Sequence, residues 1–221
     1  MEAYQDFKAY SSLKAKTPVD ALVKEAISNP GLIEQYLKII DNAKGGIKFG
    51  AEKVIRLVSE SRPELVYPFF QEIAGLIDSE NSFIKWGGII TLSNLAGVDE
   101  LELFPGIFER YFDLLNDRKM VTAANVAGNA WKIAKSYPEL EPEITRRLIR
   151  AVDNVYYYKE EPSPECNNVL RGHIIDCFDR YFEESRSKDK IIEFVRNQLA
   201  NSRKKVVLKA ESFFKRHERS A

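Results

Sequence analysis

The sequence has few of the residues from which metal and nucleophile sites are built. Its 221 residues include two histidines, His173 and His217, and two cysteines, Cys166 and Cys177. No H-x-x-x-H or C-x-x-C spacing occurs, and no G-x-S-x-G elbow. On a helix His173 and Cys177 would share a face, but a buried thiol beside a polar neighbour explains them better than a ligand pair. We therefore expect no catalytic residue, no metal and no cofactor.

Long apolar runs and a net charge are also missing. No segment approaches the roughly 18 apolar residues that span a bilayer, and the N-terminus lacks the pattern of a signal peptide. Two cysteines are too few for a disulfide framework, which favours a reducing cytoplasm. Lysine plus arginine equal aspartate plus glutamate at 33 each. This balance counts against a dedicated nucleic-acid binder, although it leaves a locally basic face open.

Strand signals are scarce, because no alternating β-branched run is bounded by an Asn-Gly or Asp-Gly turn. Apolar residues recur instead at spacings of three and four, which is the helical period. Between residues 31 and 40 one such stripe consists of Leu32, Ile33, Tyr36, Leu37 and Ile40. The sequence therefore predicts an all-α fold.

Two-helix units repeat along the chain. Their first helices follow prolines that are 38, 37 and 37 residues apart: Pro30, Pro68, Pro105 and Pro142. Proline is tolerated in the first turn of a helix, where its missing N–H would be unpaired anyway. The second helices begin at apolar residues that are 37, 36, 50 and 36 residues apart: Ile47, Ile84, Met120, Leu170 and Val206. Such a period is typical of a helical solenoid.

Close helix packing is predicted four residues into each second helix. The residues there are Ala51, Gly88, Ala124, Ile174 and Ala210, small in four of the five cases. Small side chains allow neighbouring helices to approach to about 8–10 Å.

The 50-residue step coincides with an insertion at about residues 154–168, whose E-P-S-P-E core cannot continue a helix. We expect an exposed loop there, in which at least one of Tyr156, Tyr157 and Tyr158 is exposed.

The predicted helices lie at 2–15 and 18–28, 31–41 and 46–60, 64–78 and 82–97, 101–115 and 119–136, 140–157 and 165–184, and 188–200 and 203–218. This arrangement makes residues 1–221 one repeat domain. Residues 1–29 form an N-terminal capping hairpin, 30–186 the central repeats, and 187–221 a C-terminal capping repeat.

Segment 68–95, PFFQEIAGLIDSENSFIKWGGIITLSNL, resembles a HEAT repeat. It has a proline-led first helix, an aspartate at the turn, then the apolar–basic pair Ile84-Lys85 and a small residue at Gly88. The resemblance extends over about residues 30 to 218. It implies a right-handed α-α superhelix of about six hairpins, whose second helices line a concave surface for protein or sometimes nucleic-acid recognition. HEAT arrays share a shape rather than a chemistry, so we expect a non-catalytic scaffold with a protein partner of unknown identity.

The candidate contact residues are the non-core positions of the middle second helices. They are Trp86, Ile90, Asn94, Thr122, Asn125 and Asn129. Asparagine is a mediocre helix former, so three of them inside helices need a reason. Contact with a partner and hydrogen bonding within the stack explain them equally well.

Nucleic-acid binding is the alternative. The C-terminal stretch 202–219 carries seven cations against two acids, and Arg203, Lys204, Lys205 and Lys209 form a candidate basic patch. A solvated outer face is the simpler explanation of this composition. Some HEAT-like proteins are DNA glycosylases for alkylated bases, which combine a basic groove with aromatic residues and a carboxylate. Here Ile90 and Lys135, rather than acids, follow Trp86 and Trp131 by one turn, so a structural role is favoured for both tryptophans.

Overall fold

The computed structural model describes residues 3–217, and helices dominate this part of the chain. The α-helices are α1 (Lys8–Lys14), α2 (Val19–Ser28), α3 (Gly31–Asn42), α4 (Gly45–Ser61), α5 (Pro63–Val66), α6 (Phe70–Leu76), α7 (Ser82–Leu95), α8 (Phe104–Asp113), α9 (Met120–Ser136), α10 (Glu141–Ala151), α11 (Pro164–Tyr181), α12 (Lys188–Asn197) and α13 (Lys204–His217). Short 3-10 turns lie at Ala3–Asp6, Tyr67–Phe69, Ala96–Val98, Leu114–Asn116, Phe182–Glu184 and Gln198–Ala200. The predicted all-α class is confirmed.

The chain divides into two compact units. Unit 1 is Met1–Ile107 and unit 2 is Phe108–Ala221. In unit 1, α4 packs against α2, α3 and α7. In unit 2, α11 packs against α9 and α13. The core of each unit therefore lies around one central second helix.

Helices α4 and α7 run parallel, with a constant register. Phe49 contacts Phe83 near their N-termini, and Asn94 Nδ2 donates a hydrogen bond of 2.9 Å to Ser59 Oγ near their C-terminal ends. These contacts join residues 34 and 35 positions apart. The small residue predicted at Gly88 is needed on the opposite side of α7, because a Cβ there would lie 2.9 Å from Leu76 Cβ.

Unit 2 repeats this parallel arrangement. Trp131 of α9 lies beside Arg180 of α11, and Lys135 pairs with Glu184 one turn further along both helices. Helix α13 follows α11 in the same direction, since Glu165 pairs with Arg203 and Asp179 pairs with Arg216. Parallel second helices are thus common to both units.

Two predictions about local structure were wrong. The helix predicted over 64–78 is broken into α5, a 3-10 turn and α6, because Pro68 lies in its interior and cannot donate to the helical ladder. The insertion is not an open loop. It folds into a hairpin of β1 (Tyr157–Tyr158) and β2 (Glu161–Pro162), and α10 ends at Ala151 rather than at 157.

The inserted hairpin is held at its base by a buried tyrosine. The Tyr156 hydroxyl donates to the carbonyl oxygens of Leu115 at 2.7 Å and Ala151 at 2.9 Å, which are at the ends of helical segments. Burial raises the pKa of Tyr156 to about 12. Tyr158, by contrast, is 63% exposed, as expected of at least one of the three tyrosines.

Candidate interaction surface on α4 and α7

Three aromatic side chains meet at the N-terminal ends of α4 and α7. The ring centroids of Phe49 and Phe83 are 5.5 Å apart, and those of Phe83 and Trp86 are 5.3 Å apart. Phe49 and Trp86 are half-buried, whereas Phe83 is 62% exposed. We call these three residues the aromatic cluster. Contiguous exposed apolar side chains of this kind mark interaction sites more often than isolated ones.

The start of α7 fixes the position of the cluster. Asn81 caps the helix, because its Oδ1 accepts hydrogen bonds from the N–H groups of Phe83 at 3.0 Å and Ile84 at 3.3 Å. Asn81 therefore supplies a side-chain cap for α7. Phe83 follows immediately and points away from the core, while Ile84 is buried.

A buried carboxyl lies one helical turn beyond the aromatic cluster. The side chain of Glu52 on α4 is only 12% exposed and lies directly against Gly87 of α7. A Cβ at Gly87 would overlap the Glu52 side chain, so only glycine permits this approach. The two helices are therefore in contact through a carboxyl group where most helix pairs bury apolar side chains.

The Glu52 carboxyl is poorly compensated. Its Oε1 is buried without a hydrogen-bond partner among the described residues, and the nearest cation, Arg56 Nε, is 3.4 Å away. Burial raises the pKa of Glu52 to about 7, against the opposing effect of Arg56. A carboxylic acid of this kind is neutral under mildly acidic conditions and charged under mildly basic ones.

Five of the six predicted contact residues are at least partly accessible. Trp86, Ile90 and Asn94 of unit 1 are half-buried, as are Asn125 and Asn129 of unit 2. Thr122 is a correction, because it is 1% exposed and therefore belongs to the core. The neighbours of Thr122 on α9, Ala123 and Val126, are buried as well, so this part of the helix packs inside unit 2.

The asparagines are used inside the fold. Asn125 Nδ2 donates to the carbonyl oxygen of Val121 at 2.8 Å, and Asn129 Nδ2 donates to that of Asn125 at 2.9 Å. Asn94 joins α7 to α4 through Ser59. Asn94 therefore bonds to a neighbouring helix of the stack, whereas Asn125 and Asn129 donate to carbonyl oxygens of their own helix and are half-buried.

The predicted basic patch is partly neutralised by acids of α11. Arg203 pairs with Glu165, and Lys209 pairs with Asp176. Lys204 and Lys205 remain exposed. The stretch also reaches Glu218 and Arg219, which lie outside the described residues. Arg203 and Lys209 would have to leave these ion pairs in order to bind nucleic-acid phosphates. The pairs therefore count against nucleic-acid binding by α13.

The cysteine and histidine positions show no assembled reactive centre within the described part of the chain. Cys166 and Cys177 are separate buried thiols, and burial raises the pKa of Cys177 far above its usual range. His173 is half-buried and its pKa is lowered, chiefly by burial. Within residues 3–217 no group of three or more His, Cys, Asp or Glu side chains is arranged to hold a metal ion. No helix in the same range has the length and apolarity to cross a bilayer.

The sequence did not single out Phe49, Phe83 or Glu52. Phe49 and Phe83 are 34 residues apart and Glu52 and Gly87 are 35 apart, two to three residues short of the 37-residue repeat from Ile47 to Ile84. The contacts therefore join non-equivalent positions of two repeats, which alignment of the repeats alone does not identify. No protein-family model matches the chain, and no curated protein is significantly similar to it.

Proposed function

We propose that this chain is a cytoplasmic, non-catalytic protein-interaction scaffold of the HEAT-like α-solenoid class, and that it binds a partner through the aromatic cluster. The parallel second helices α4 and α7, whose contacts join residues 34 and 35 positions apart, support the repeat class within unit 1. The pairs of α11 with α13, which join residues 37 and 38 positions apart, support it within unit 2.

The exposure of Phe83 carries the proposal. Aromatic residues dominate the binding energy of protein interfaces, and they act when they insert into a pocket that excludes water. Leaving a phenylalanine exposed forgoes burial energy of about 25 cal/mol for each Å² of apolar surface. The Phe83 ring packs against the rings of Phe49 and Trp86, and these contacts restrict its motion.

Quantitative capture from a lysate of the source cell tests the proposal. Three baits are compared: the wild-type chain, Phe83→Ala, and the control Leu101→Ala. Leu101 is 72% exposed in the same unit but is not part of the aromatic cluster. We expect a protein that is retained by the wild type and by Leu101→Ala and is lost with Phe83→Ala. Equal retention by all three baits would refute the aromatic cluster as the binding surface.

Nucleic-acid binding, with a glycosylase-like activity, is the second candidate function. Clustered aromatic rings near a protonatable carboxyl favour it, because bases stack on aromatic side chains. Two observations oppose it: unit 1 has fifteen acids against eleven Lys and Arg residues, and Glu52 Oε1 is buried against Gly87. Duplex affinity that falls steeply with salt and is lost in Phe83→Ala would favour this candidate over the scaffold.

A further inference from the structure

We propose that the partner contacts the aromatic cluster through a lysine- or arginine-bearing segment, with the cationic group over the exposed ring of Phe83. This inference rests on the proposed scaffold function and adds the chemistry of the partner. Cations are attracted to the negative face of an aromatic ring, and the attraction grows when both are shielded from water.

The first argument comes from the other aromatic rings of the chain. In unit 2 the guanidinium of Arg180 lies 5.6 Å from the Trp131 ring centroid, and that of Arg118 lies 4.2 Å from the Tyr157 centroid. Both rings therefore have a cation supplied from within the unit. Within residues 3–217 no lysine or arginine lies over the Phe83 ring, whose neighbours are Phe49 and Trp86. A partner can supply the missing cation.

The second argument is charge complementarity. Unit 1 has four more acids than Lys and Arg residues, and unit 2 has four more Lys and Arg residues than acids. Asp78 and Glu80 are exposed in the turn that precedes α7, close in sequence to Phe83. Lys48 stands next to Phe49 on α4, but it acts on Asp41, whose pKa burial raises and Lys48 lowers. Lys48 and the half-buried Lys85 lie next to the cluster in sequence, so it is the acidic excess of unit 1 as a whole that favours a positively charged partner.

The third argument is the position of Glu52. Its carboxyl lies one turn beyond Phe49 on α4, and Gly87 lies one turn beyond Phe83 on α7. When ionised, Glu52 places a negative charge under the same strip of surface. Arg56 Nε, 3.4 Å from Glu52 Oε1, offsets part of this charge, so the carboxylate adds to the attraction of the Phe83 ring for a cation and is secondary to it.

Selection of random peptides tests the proposal while the partner is still unidentified. Short peptides displayed on phage are selected on the full-length protein, and each recovered peptide is then measured against four proteins. These are the wild type, Phe83→Ala, Phe83→Leu and the control Leu101→Ala. Phe83→Leu keeps an apolar side chain and removes the ring, so it separates ring chemistry from apolar area. Circular dichroism and the melting temperature confirm that each variant is folded.

We expect peptides rich in Arg or Lys that bind the wild type and Leu101→Ala equally. They should bind Phe83→Ala and Phe83→Leu roughly tenfold more weakly, because a desolvated cation–π contact contributes about that factor. Replacing the key arginine by citrulline, which has nearly the same shape and no charge, should cost a similar factor.

The remaining outcomes separate the two proposals. Peptides that lack cations, or that bind Phe83→Leu or their citrulline form unchanged, would overturn the cationic partner and leave the docking surface intact. A selection that yields no peptide able to distinguish the wild type from Phe83→Ala would overturn both the docking surface and the cationic partner.

Discussion

Each unit buries one glutamate, and the two carboxyl groups are treated in opposite ways. In unit 2 Glu141 is 3% exposed and its oxygens accept hydrogen bonds from Ser185 Oγ at 2.7 Å and the Arg186 N–H at 2.9 Å, with a further one from Thr145 Oγ1 at 2.7 Å. In unit 1 Glu52 Oε1 has no such donor among the described residues. The same residue type thus stabilises one unit and destabilises the other.

The contacts between second helices also differ between the two units, and again the polar groups are better paired in unit 2. Acids of α11 pair with bases of α13 along their whole contact, and His217 lies 2.8 Å from Glu183 and 2.9 Å from Asp179. The contact between α4 and α7 includes the Phe49–Phe83 pair, a poorly compensated carboxyl and the asparagine–serine hydrogen bond. The contact in unit 2 is thus rich in paired charges, while that in unit 1 leaves the Phe83 ring exposed.

The largest loss of stability is expected when the hydrogen-bonded carboxyl group of Glu141 is removed. Glu141→Ala leaves the donors Thr145, Ser185 and the Arg186 N–H without their charged acceptor in a buried site. Hydrogen bonds to charged groups contribute about 1.5–3 kcal/mol each, so unfolding should become easier by about 3–5 kcal/mol. Urea denaturation measures the change, with the exposed neighbour Glu139→Ala as control. A loss below about 1 kcal/mol would show that the network is not what holds this part of unit 2.

Replacing Glu52 should instead raise the free energy of unfolding, by an amount that depends on pH. Its pKa is about 7 in the folded chain and 4.5 in the unfolded one. Below pH 4.5 the group is neutral in both states. As the pH rises the unfolded chain ionises first, so stability falls until the folded group also ionises near pH 7. The difference corresponds to a loss of about 3 kcal/mol at pH 8.

The substitution Glu52→Gln removes this titration. Relative to the wild type, the variant should gain about 2–3 kcal/mol between pH 4 and pH 8. Urea denaturation at both pH values measures the gain, and Glu80→Gln, at an exposed position of the same unit, is the control. A stability difference between wild type and Glu52→Gln that is the same at both pH values would mean that Glu52 is not a raised acid.

Gly87→Ala tests the close approach of α4 and α7. The added Cβ overlaps the Glu52 side chain, which must move, and overpacking of this kind costs about 1–3 kcal/mol. In a Glu52→Ala background the obstacle is absent and the cost should largely disappear. A double-mutant cycle measures this coupling. If the two effects are additive, Glu52 and Gly87 are not in contact in solution.

The helix pattern was predictable because it depends on local spacing. The three-and-four periodicity located α3 and α4 to within two residues at each end. The helix predicted over 64–78 was wrong at Pro68. Proline is favoured in the first turn of a helix and disrupts its interior, and residue spacing alone does not say in which of the two Pro68 lies. The hairpin at 157–162 was missed because its turn residues, Lys159 and Glu160, adopt positive φ angles that asparagine or glycine normally signals.

The candidate site was predicted only in part, because it depends on pairing between helices. Trp86 was identified from its place on a second helix, but Glu52 gave no signal, since an acid within an amphipathic helix usually faces water. Only its contact with Gly87 across the helix pair makes it unusual. The pairing within the basic patch was not predictable for the same reason, because the acids that pair with Arg203 and Lys209 are more than 30 residues away in sequence.

The smallest loss of stability is expected at Trp131 of unit 2, whose ring lies under the guanidinium of Arg180. Arg180→Gln removes the guanidinium over Trp131, and at this exposed position the loss should be about 0.5–1 kcal/mol. The chain has two tryptophans, so a Trp86→Phe background makes Trp131 the sole reporter, and its fluorescence should become more accessible to the neutral quencher acrylamide. The half-buried Arg171→Gln on the same helix is the control. If acrylamide quenches Trp131 equally with and without Arg180, the cation does not shield the ring, and the contrast between a covered ring in unit 2 and the open Phe83 ring in unit 1 is lost.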